Sequence, residues 1–153
     1  SPEDIGQMNH LLGLISFDSP ALNMDVLERS RLEGLILVTV LVDNKVSGMV
    51  TLSIRDILVG KKIGTLDSLI IDPDVEKVKI QDLEEGNMDY LLRALIGYVI
   101  ELHCSRMKVA RLEIGSAHKR VFELPGVLWD MGFKNVPTVF PRVSLDLAEV
   151  ANR

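Results

Sequence analysis

The stretch that decides the fold is Leu66-Asp-Ser-Leu-Ile-Ile-Asp-Pro-Asp74, an apolar run that ends at a proline. It predicts a buried strand that stops at Pro73, because proline cannot donate to the hydrogen-bond ladder of a sheet. A charged loop then leads to Gly86, at or near the start of a helix predicted over Asn87–His103, where apolar residues recur at helical spacing. A strand, a glycine-bearing turn and a helix N-terminus together form a place where backbone N–H groups can bind an anion.

Upstream of this stretch, the sequence predicts two helices and two further strands. Ser1-Pro2-Glu3-Asp4 has the residue types of a helix start, and Asp18-Ser19-Pro20 repeats that signal. The period then changes, because β-branched and apolar residues over Leu35–Val42 and Val46–Ile54 predict two strands joined by a turn. With Ile63–Ile71 as the third strand, these segments are expected to form an antiparallel meander.

Downstream of the long helix, the prediction alternates strand and helix. Val109–Ile114 predicts a strand, Lys119–Met131 a helix interrupted at Pro125-Gly126, and Thr138–Leu147 a terminal strand. A meander followed by this alternation predicts an α+β (α/β-like) fold, in which helices cover both faces of a mixed central sheet. No internal repeat or low-complexity linker divides the chain, so residues 1–153 are expected to form a single domain.

The composition excludes several classes of protein. Hydrophobic residues make up 47% of the chain and charged residues 25%, which is too apolar for a disordered protein. A net charge of −5 argues against nucleic-acid binding, which needs a concentrated basic face, and no apolar run is long enough to cross a membrane. Cys104 is the only cysteine, so no disulfide can form within the chain and a reducing, cytoplasmic location is expected.

The order of elements, the strand that ends at Pro73, the glycine before the long helix and Gly132-Phe133 together resemble the GNAT superfamily of acetyl-CoA-dependent N-acetyltransferases. The resemblance runs from about Ser1 to Val143. Family members usually carry one more strand before the first helix, and here that leading strand is missing or lies upstream. The resemblance implies acetyl-CoA as the cofactor and an amine, on a small molecule or a protein, as the acceptor.

Two sets of site residues follow from the resemblance at the central strand. In the family, the backbone of this strand pairs with the pantetheine arm and helps to polarise the thioester carbonyl, which points to Leu69, Ile70 and Ile71. Asp67 falls where many members carry a carboxylate general base. The alternative is that Asp67 simply marks the exposed start of the strand.

The resemblance also implies that Gly86, Asn87 and Met88 bind the cofactor diphosphate. The family pattern is Gln or Arg, two residues, Gly, one residue, and then Gly or Ala, whereas this chain reads Leu83-Glu84-Glu85-Gly86-Asn87-Met88. Only the first glycine is kept, and the two glutamates repel a diphosphate. With Asp82 they also have the spacing of a capping box, which is an alternative explanation for them, and Lys77 and Lys79 could supply compensating charge.

The closing helix and the histidines complete the list of candidates. Leu128 stands where the family tyrosine would protonate the departing thiolate, which leucine cannot do. His118, shortly after Ile114-Gly115, is a second candidate base, with a surface loop histidine as the alternative. His103 and Cys104 point about 100° apart on a helix and do not form a ready pair, and no set of residues has the spacing of a metal site.

Two functions therefore remain open from the sequence. The first is an acetyl-CoA-dependent N-acyltransferase. The second is a catalytically degenerate GNAT-fold module that acts in protein binding or assembly. A homodimer and membership of a longer parent chain are both left open.

Overall fold

The computed structural model describes residues 2–13, 24–58, 60–77, 86–115, 125–136 and 142–147. A short 3₁₀ helix, Pro73–Lys77, follows the third strand, and a π-helical turn, Ile100–Cys104, continues the third α-helix. The other elements, in chain order, are α1 (Pro2–Gly13), α2 (Met24–Leu32), β1 (Ile36–Val42), β2 (Lys45–Leu58), β3 (Lys61–Ile71), α3 (Asn87–Val99), β4 (Val109–Ile114), α4 (Pro125–Met131), β5 (Lys134–Val136) and β6 (Arg142–Asp146).

One mixed sheet holds all of these strands, in the order β1-β2-β3-β4-β6-β5. Every neighbouring pair is antiparallel except β3 and β4, which are parallel and are connected through the 3₁₀ helix and α3. Asp43 and Asn44 close the β1–β2 hairpin with φ angles of 51° and 64°, as a tight turn between twisted strands requires. The predicted fold, a meander followed by alternating helices and strands, is confirmed.

Two hydrophobic clusters fill the two faces of the sheet, which confirms helices on both sides. On one face, α3 and α4 pack against the strands, with α3 contributing a buried stripe at helical spacing: Leu91, Leu92, Leu95, Ile96 and Val99. On the other face, Met8 and Leu11 of α1 pack on Val46, Met49 and Ile70. The end of β3 therefore contributes to both clusters, with Leu69 and Ile71 on one face and Ile70 on the other.

Several boundaries of the described elements differ from the sequence prediction. The long helix is α-helical only to Val99 and continues as a π-helical turn to Cys104, rather than as an α-helix to His103. The described part of the penultimate helix, α4, begins at Pro125, in keeping with the preference of proline for the first turn. The short strand β5 was not predicted.

The predicted starts of the second helix at residues 18–20, of the penultimate helix at 119 and of the terminal strand at 138 lie outside the described residues.

β1 is the outermost strand on its side of the sheet among the residues described, so no leading strand pairs with it there. Within the same part of the chain, no helix is long and apolar enough to cross a membrane.

Candidate functional site

The parallel strands β3 and β4 separate part-way along the sheet. Their register pairs run from Lys62–Val109 to Leu66–Ile114, and the N–H of Gly115 then donates to the carbonyl oxygen of Leu66 at 2.8 Å. β3 continues for five more residues, to Ile71, while β4 ends at Ile114. Among the described residues, β3 therefore has no β4 partner beyond Leu66 and Gly115, and we call this end of the β3–β4 pair the split.

A β-bulge at Ser68 lies just inside this split. In the register between β2 and β3, Thr51 pairs with Asp67 and Met49 with Ile70, so β3 has one residue more than β2 between these pairs. Ser68 has a φ angle of 53°, in the left-handed region that non-glycine residues rarely adopt. A bulge of this kind re-aims the residues that follow it.

The consequence of the bulge can be read from the faces of β3. Leu66 packs on the α3 side, and strict alternation would put the even-numbered residues after it on the same side. Instead, Leu69 and Ile71 belong to the cluster under α3, whereas Ile70 belongs to the cluster under α1. The extra residue therefore reverses the alternation along the second half of β3.

The backbone of this half-strand also has a defined direction. The N–H of Asp72 donates to the carbonyl oxygen of Ser47 on β2 at 2.8 Å. Because backbone groups of successive strand residues point to opposite edges, Ile70 faces β2 as well, whereas the amides of Leu69 and Ile71 face the split. Of the three predicted backbone residues, the geometry thus brings Leu69 and Ile71 to the opening and turns Ile70 away from it.

Solvent does not reach this edge in the structure. Leu69, Ile70 and Ile71 each have 0% of their surface exposed. A pantetheine arm could pair with these amides only after the atoms that cover them move. The role predicted for these residues remains a prediction.

Asp67 lies at the mouth of the split, where its carboxylate leans across to β4. An ideal Cβ built on Gly115 would collide with Oδ1 of Asp67 and would lie 3.4 Å from its Cγ. Thr51 on β2 donates from its hydroxyl to the carbonyl oxygen of Asp67 at 2.9 Å, which fixes the backbone on the other side. Asp67 is partly exposed and lies inside β3, which begins at Lys61, so it does not mark the start of the strand; its role as a general base stays a prediction.

The N-terminus of α3 already holds a carboxylate. Gly86 is the N-cap in an extended conformation, and no side chain of its own caps the helix. The N–H of Met88 donates to Oε1 of Glu76 at 2.9 Å, and Nδ2 of Asn87 donates to the carbonyl oxygen of Val75 at 2.7 Å. The predicted diphosphate residues are therefore brought together, but they bind the preceding 3₁₀ helix.

This arrangement corrects the expected role of Asp82. Since Gly86 is the N-cap and is extended, the capping box predicted over Asp82–Glu85 cannot begin α3. Residues 82–85 themselves, with Lys79, lie outside the described residues. Glu76 was missed from the sequence, because a carboxylate that reaches a helix from 12 residues upstream leaves no local spacing signal.

The closing helix gives no sign of a proton donor. Leu128 is 2% exposed and belongs to the core under α3, so its position is structural. Gly132 has a φ of 100° and ends α4, and the N–H of Phe133 donates to the carbonyl oxygen of Leu128 at 3.0 Å. Gly132-Phe133 is thus explained as a helix terminator.

The histidines and the cysteine give no reactive pair in the described part of the chain. His118 lies outside the described residues. His103 packs edge-on against Tyr98, with ring centroids 6.1 Å apart, while burial raises the pKa of the Cys104 thiol to about 11. A thiol of that kind stays protonated and unreactive near neutral pH. In the part of the chain that the structure describes, no three His, Cys, Asp or Glu residues could hold a metal ion.

Comparison with known proteins identifies the architecture. No protein-family model matches the chain, and no curated protein sequence matches it. Among solved structures, aminoglycoside 6'-acetyltransferase type Ii aligns with a TM-score of 0.67 at 15% identity, over 96% of this chain and 92% of its own. An acetyltransferase of Trypanosoma brucei aligns with a TM-score of 0.63 at 17% identity, over 92% of each chain.

This chain has the GNAT fold. A third structure, the NatC complex bound to Gag peptide and CoA, aligns with a TM-score of 0.60 at 12% identity, over 95% of this chain and 92% of that one. At such identities the likeness concerns the fold alone. Three features of this GNAT fold bear on its function: the split between β3 and β4, the bulge at Ser68 and the helix N-terminus at Gly86.

Proposed function

We propose that this chain is an acetyl-CoA-dependent N-acyltransferase that moves an acyl group to a primary amine, using the split between β3 and β4 as its reaction site. The observation that carries the proposal is the bulge at Ser68, which turns the amides of Leu69 and Ile71 toward the split beside the carboxylate of Asp67. Strained backbone of this kind persists where the surrounding structure imposes it, and such positions cluster at functional sites.

The two ends of the site fit the cofactor differently. At the strand end, two backbone donors at one edge suit an extended amide-bearing arm. At the helix end, first-turn amides suit a diphosphate, but Glu76 occupies the Met88 amide, so this end fits only after that carboxylate moves. When bound, acetyl-CoA would supply the activated acyl group, and related folds include one solved with CoA.

The residues of this chain then have separate tasks. In this proposal the amides of Leu69 and Ile71 donate to the carbonyl oxygen that gains negative charge, and such preorganised donors are the usual source of stabilisation in acyl transfer. In this proposal Asp67 accepts one proton from the acceptor ammonium, whose ordinary pKa of about 10.4 requires a base near neutral pH, and the neutral amine then attacks the thioester carbonyl. As the C–S bond breaks, the nitrogen releases its second proton to solvent; Leu128 cannot donate a proton, so the leaving thiolate takes its proton from solvent.

Thermal unfolding with and without acetyl-CoA tests the proposal. A ligand at one hundred times its dissociation constant stabilises a fold by about 2.7 kcal/mol, so a clear rise in Tm is expected at millimolar cofactor. Gly86→Glu should abolish the rise, because it adds a second carboxylate at the helix terminus. Gly97→Glu is the matched control, since Gly97 lies on the same helix with open space around its Cα.

The second candidate is a binding or assembly module that keeps the GNAT fold without turnover. Three observations favour it: the carboxylate on the Met88 amide, the fully buried edge of β3 and the buried Leu128. The same experiment separates the two functions. No rise in Tm at millimolar acetyl-CoA supports the module, and a rise that survives Gly86→Glu places the cofactor elsewhere.

A further inference from the structure

The first turn of α3 has a bound anion in the form of Glu76. Its Oε1 accepts the Met88 N–H at 2.9 Å, and both of its carboxylate oxygens lie 3.5 Å from an ideal Cβ on Gly86. The carboxylate therefore lies across the N-cap and the first turn of a 13-residue helix. An anion in this position is stabilised by the hydrogen bond from the Met88 amide and by the helix dipole.

The residue before Glu76 holds the contact in place. Val75, immediately before it, is 3% exposed and anchors the 3₁₀ helix in the core. The carbonyl oxygen of Val75 also accepts the Asn87 side chain at 2.7 Å, which ties the 3₁₀ helix to the start of α3. Glu76 itself is exposed, so a solute can reach the carboxylate and compete with it.

A second anion cannot share these amides without repulsion. Met88 has one N–H, and Glu76 uses it. Asp89, in the same first turn, adds a further negative charge. A diphosphate would therefore have to displace the Glu76 side chain, and the free energy of that displacement would be subtracted from its own binding.

We propose that Glu76 is the specificity-determining residue of this helix terminus, an internal anion that competes with diphosphate and sets how tightly the cofactor binds. The proposal rests on the proposed function only in assuming that the cofactor diphosphate binds at this terminus. Removing the charge should strengthen diphosphate binding by about tenfold or more, which corresponds to about 1.4 kcal/mol. Glu76 thus keeps the affinity of the site low unless its side chain moves away.

The experiment measures inorganic pyrophosphate and acetyl-CoA binding by calorimetry at constant ionic strength. Glu76→Gln removes the charge but keeps the shape, and Glu76→Ala vacates the position. Asp74→Asn is the matched control, because Asp74 is an exposed carboxylate in the same 3₁₀ helix that pairs with Lys77 at 3.5 Å. Both Glu76 variants should bind pyrophosphate about tenfold more tightly than the wild type and Asp74→Asn.

Several results would overturn the proposal. Equal pyrophosphate affinity in Glu76→Gln and Asp74→Asn would show that only general charge matters, and no pyrophosphate binding by either Glu76 variant would show that these amides take no second anion. A measurement on the wild type alone guards against misfolded variants: saturating pyrophosphate must move the amide resonance of Met88. If that resonance stays in place while pyrophosphate binds, Glu76 has not been displaced.

If the chain is not an acyltransferase, the binding measurements give a different set of results. Pyrophosphate binding that rises in Glu76→Gln, without acetyl-CoA binding or acyl transfer in any variant, would leave the competition intact and remove the transferase.

Discussion

Replacing Gly115 with alanine is expected to destabilise the fold by about 1–2 kcal/mol through the side chain of Asp67. The new Cβ would collide with Oδ1 of Asp67 and would lie 3.0 Å from Cγ2 of Thr65. Overpacking of this kind typically costs about 1–3 kcal/mol. The backbone of Gly115 is outside the left-handed region, so alanine also restricts the unfolded chain and returns about 0.4–1 kcal/mol.

A double-mutant cycle with Asp67→Ala isolates this contact. Urea denaturation gives the cost of Gly115→Ala in the wild type and in the Asp67→Ala background, where only the Thr65 methyl remains close. The cost should fall to within about 0.5 kcal/mol of zero, which gives a coupling of about 1–2 kcal/mol. Gly97→Ala is the control, since nothing lies near its Cα and its effect should be the same in both backgrounds.

An equal cost of Gly115→Ala in both backgrounds would refute the reasoning. The carboxylate of Asp67 would then not lean across to β4 at Gly115. The described position of the Asp67 carboxylate at the mouth of the split would then be wrong. The proposal that Asp67 acts as a general base there would have no geometric support.

Three further predictions concern stability. Burial raises the pKa of Cys104 from 9.0 to about 11, so the thiol ionises at lower pH in the unfolded chain than in the folded one. The contribution of Cys104 to the free energy of unfolding is constant below about pH 9 and should fall between pH 9 and 11. Urea denaturation over that range measures the fall, which Cys104→Ala should lack. Leu92→Ala should cost about 2–5 kcal/mol in the same assay, because Leu92 is 0% exposed, and a cost below 1 kcal/mol would contradict its place in the core. Gly48→Ala should lower Tm, because an ideal Cβ lies 2.7 Å from the side chains of Ile71 and Val40, and an unchanged Tm would mean that these two side chains lie farther from Gly48 than described.

The fold could be predicted because its signals are local. The period-two stretches, the turn at Asp43-Asn44 and the apolar stripe of α3 each depend on neighbouring residues, and each appears in the structure. The GNAT resemblance then ordered these elements correctly. The π-helical turn at Ile100–Cys104 escaped, because its residues have the same apolar spacing as an α-helix.

The site was less predictable because its geometry depends on long-range contacts. Ser68 lies in an apolar run without glycine or asparagine, so nothing nearby signals a left-handed residue, and the bulge arises from the register with β2. Glu76 accepts the Met88 N–H from 12 residues upstream, and no spacing rule covers that pairing. The repulsion of a diphosphate by Glu84 and Glu85 stays a prediction, and the described carboxylate that reaches the first-turn amide is Glu76.

The pairing order of the sheet has a consequence for how the chain folds. Short turns join β1, β2 and β3, whereas β3 meets β4 only after the 3₁₀ helix and α3 lie between them. Closing a long loop costs entropy before its contacts reward it. The meander should therefore assemble early, and the pairing of Leu66 on β3 with Ile114 on β4 should form later. The split lies next to this late-forming pairing.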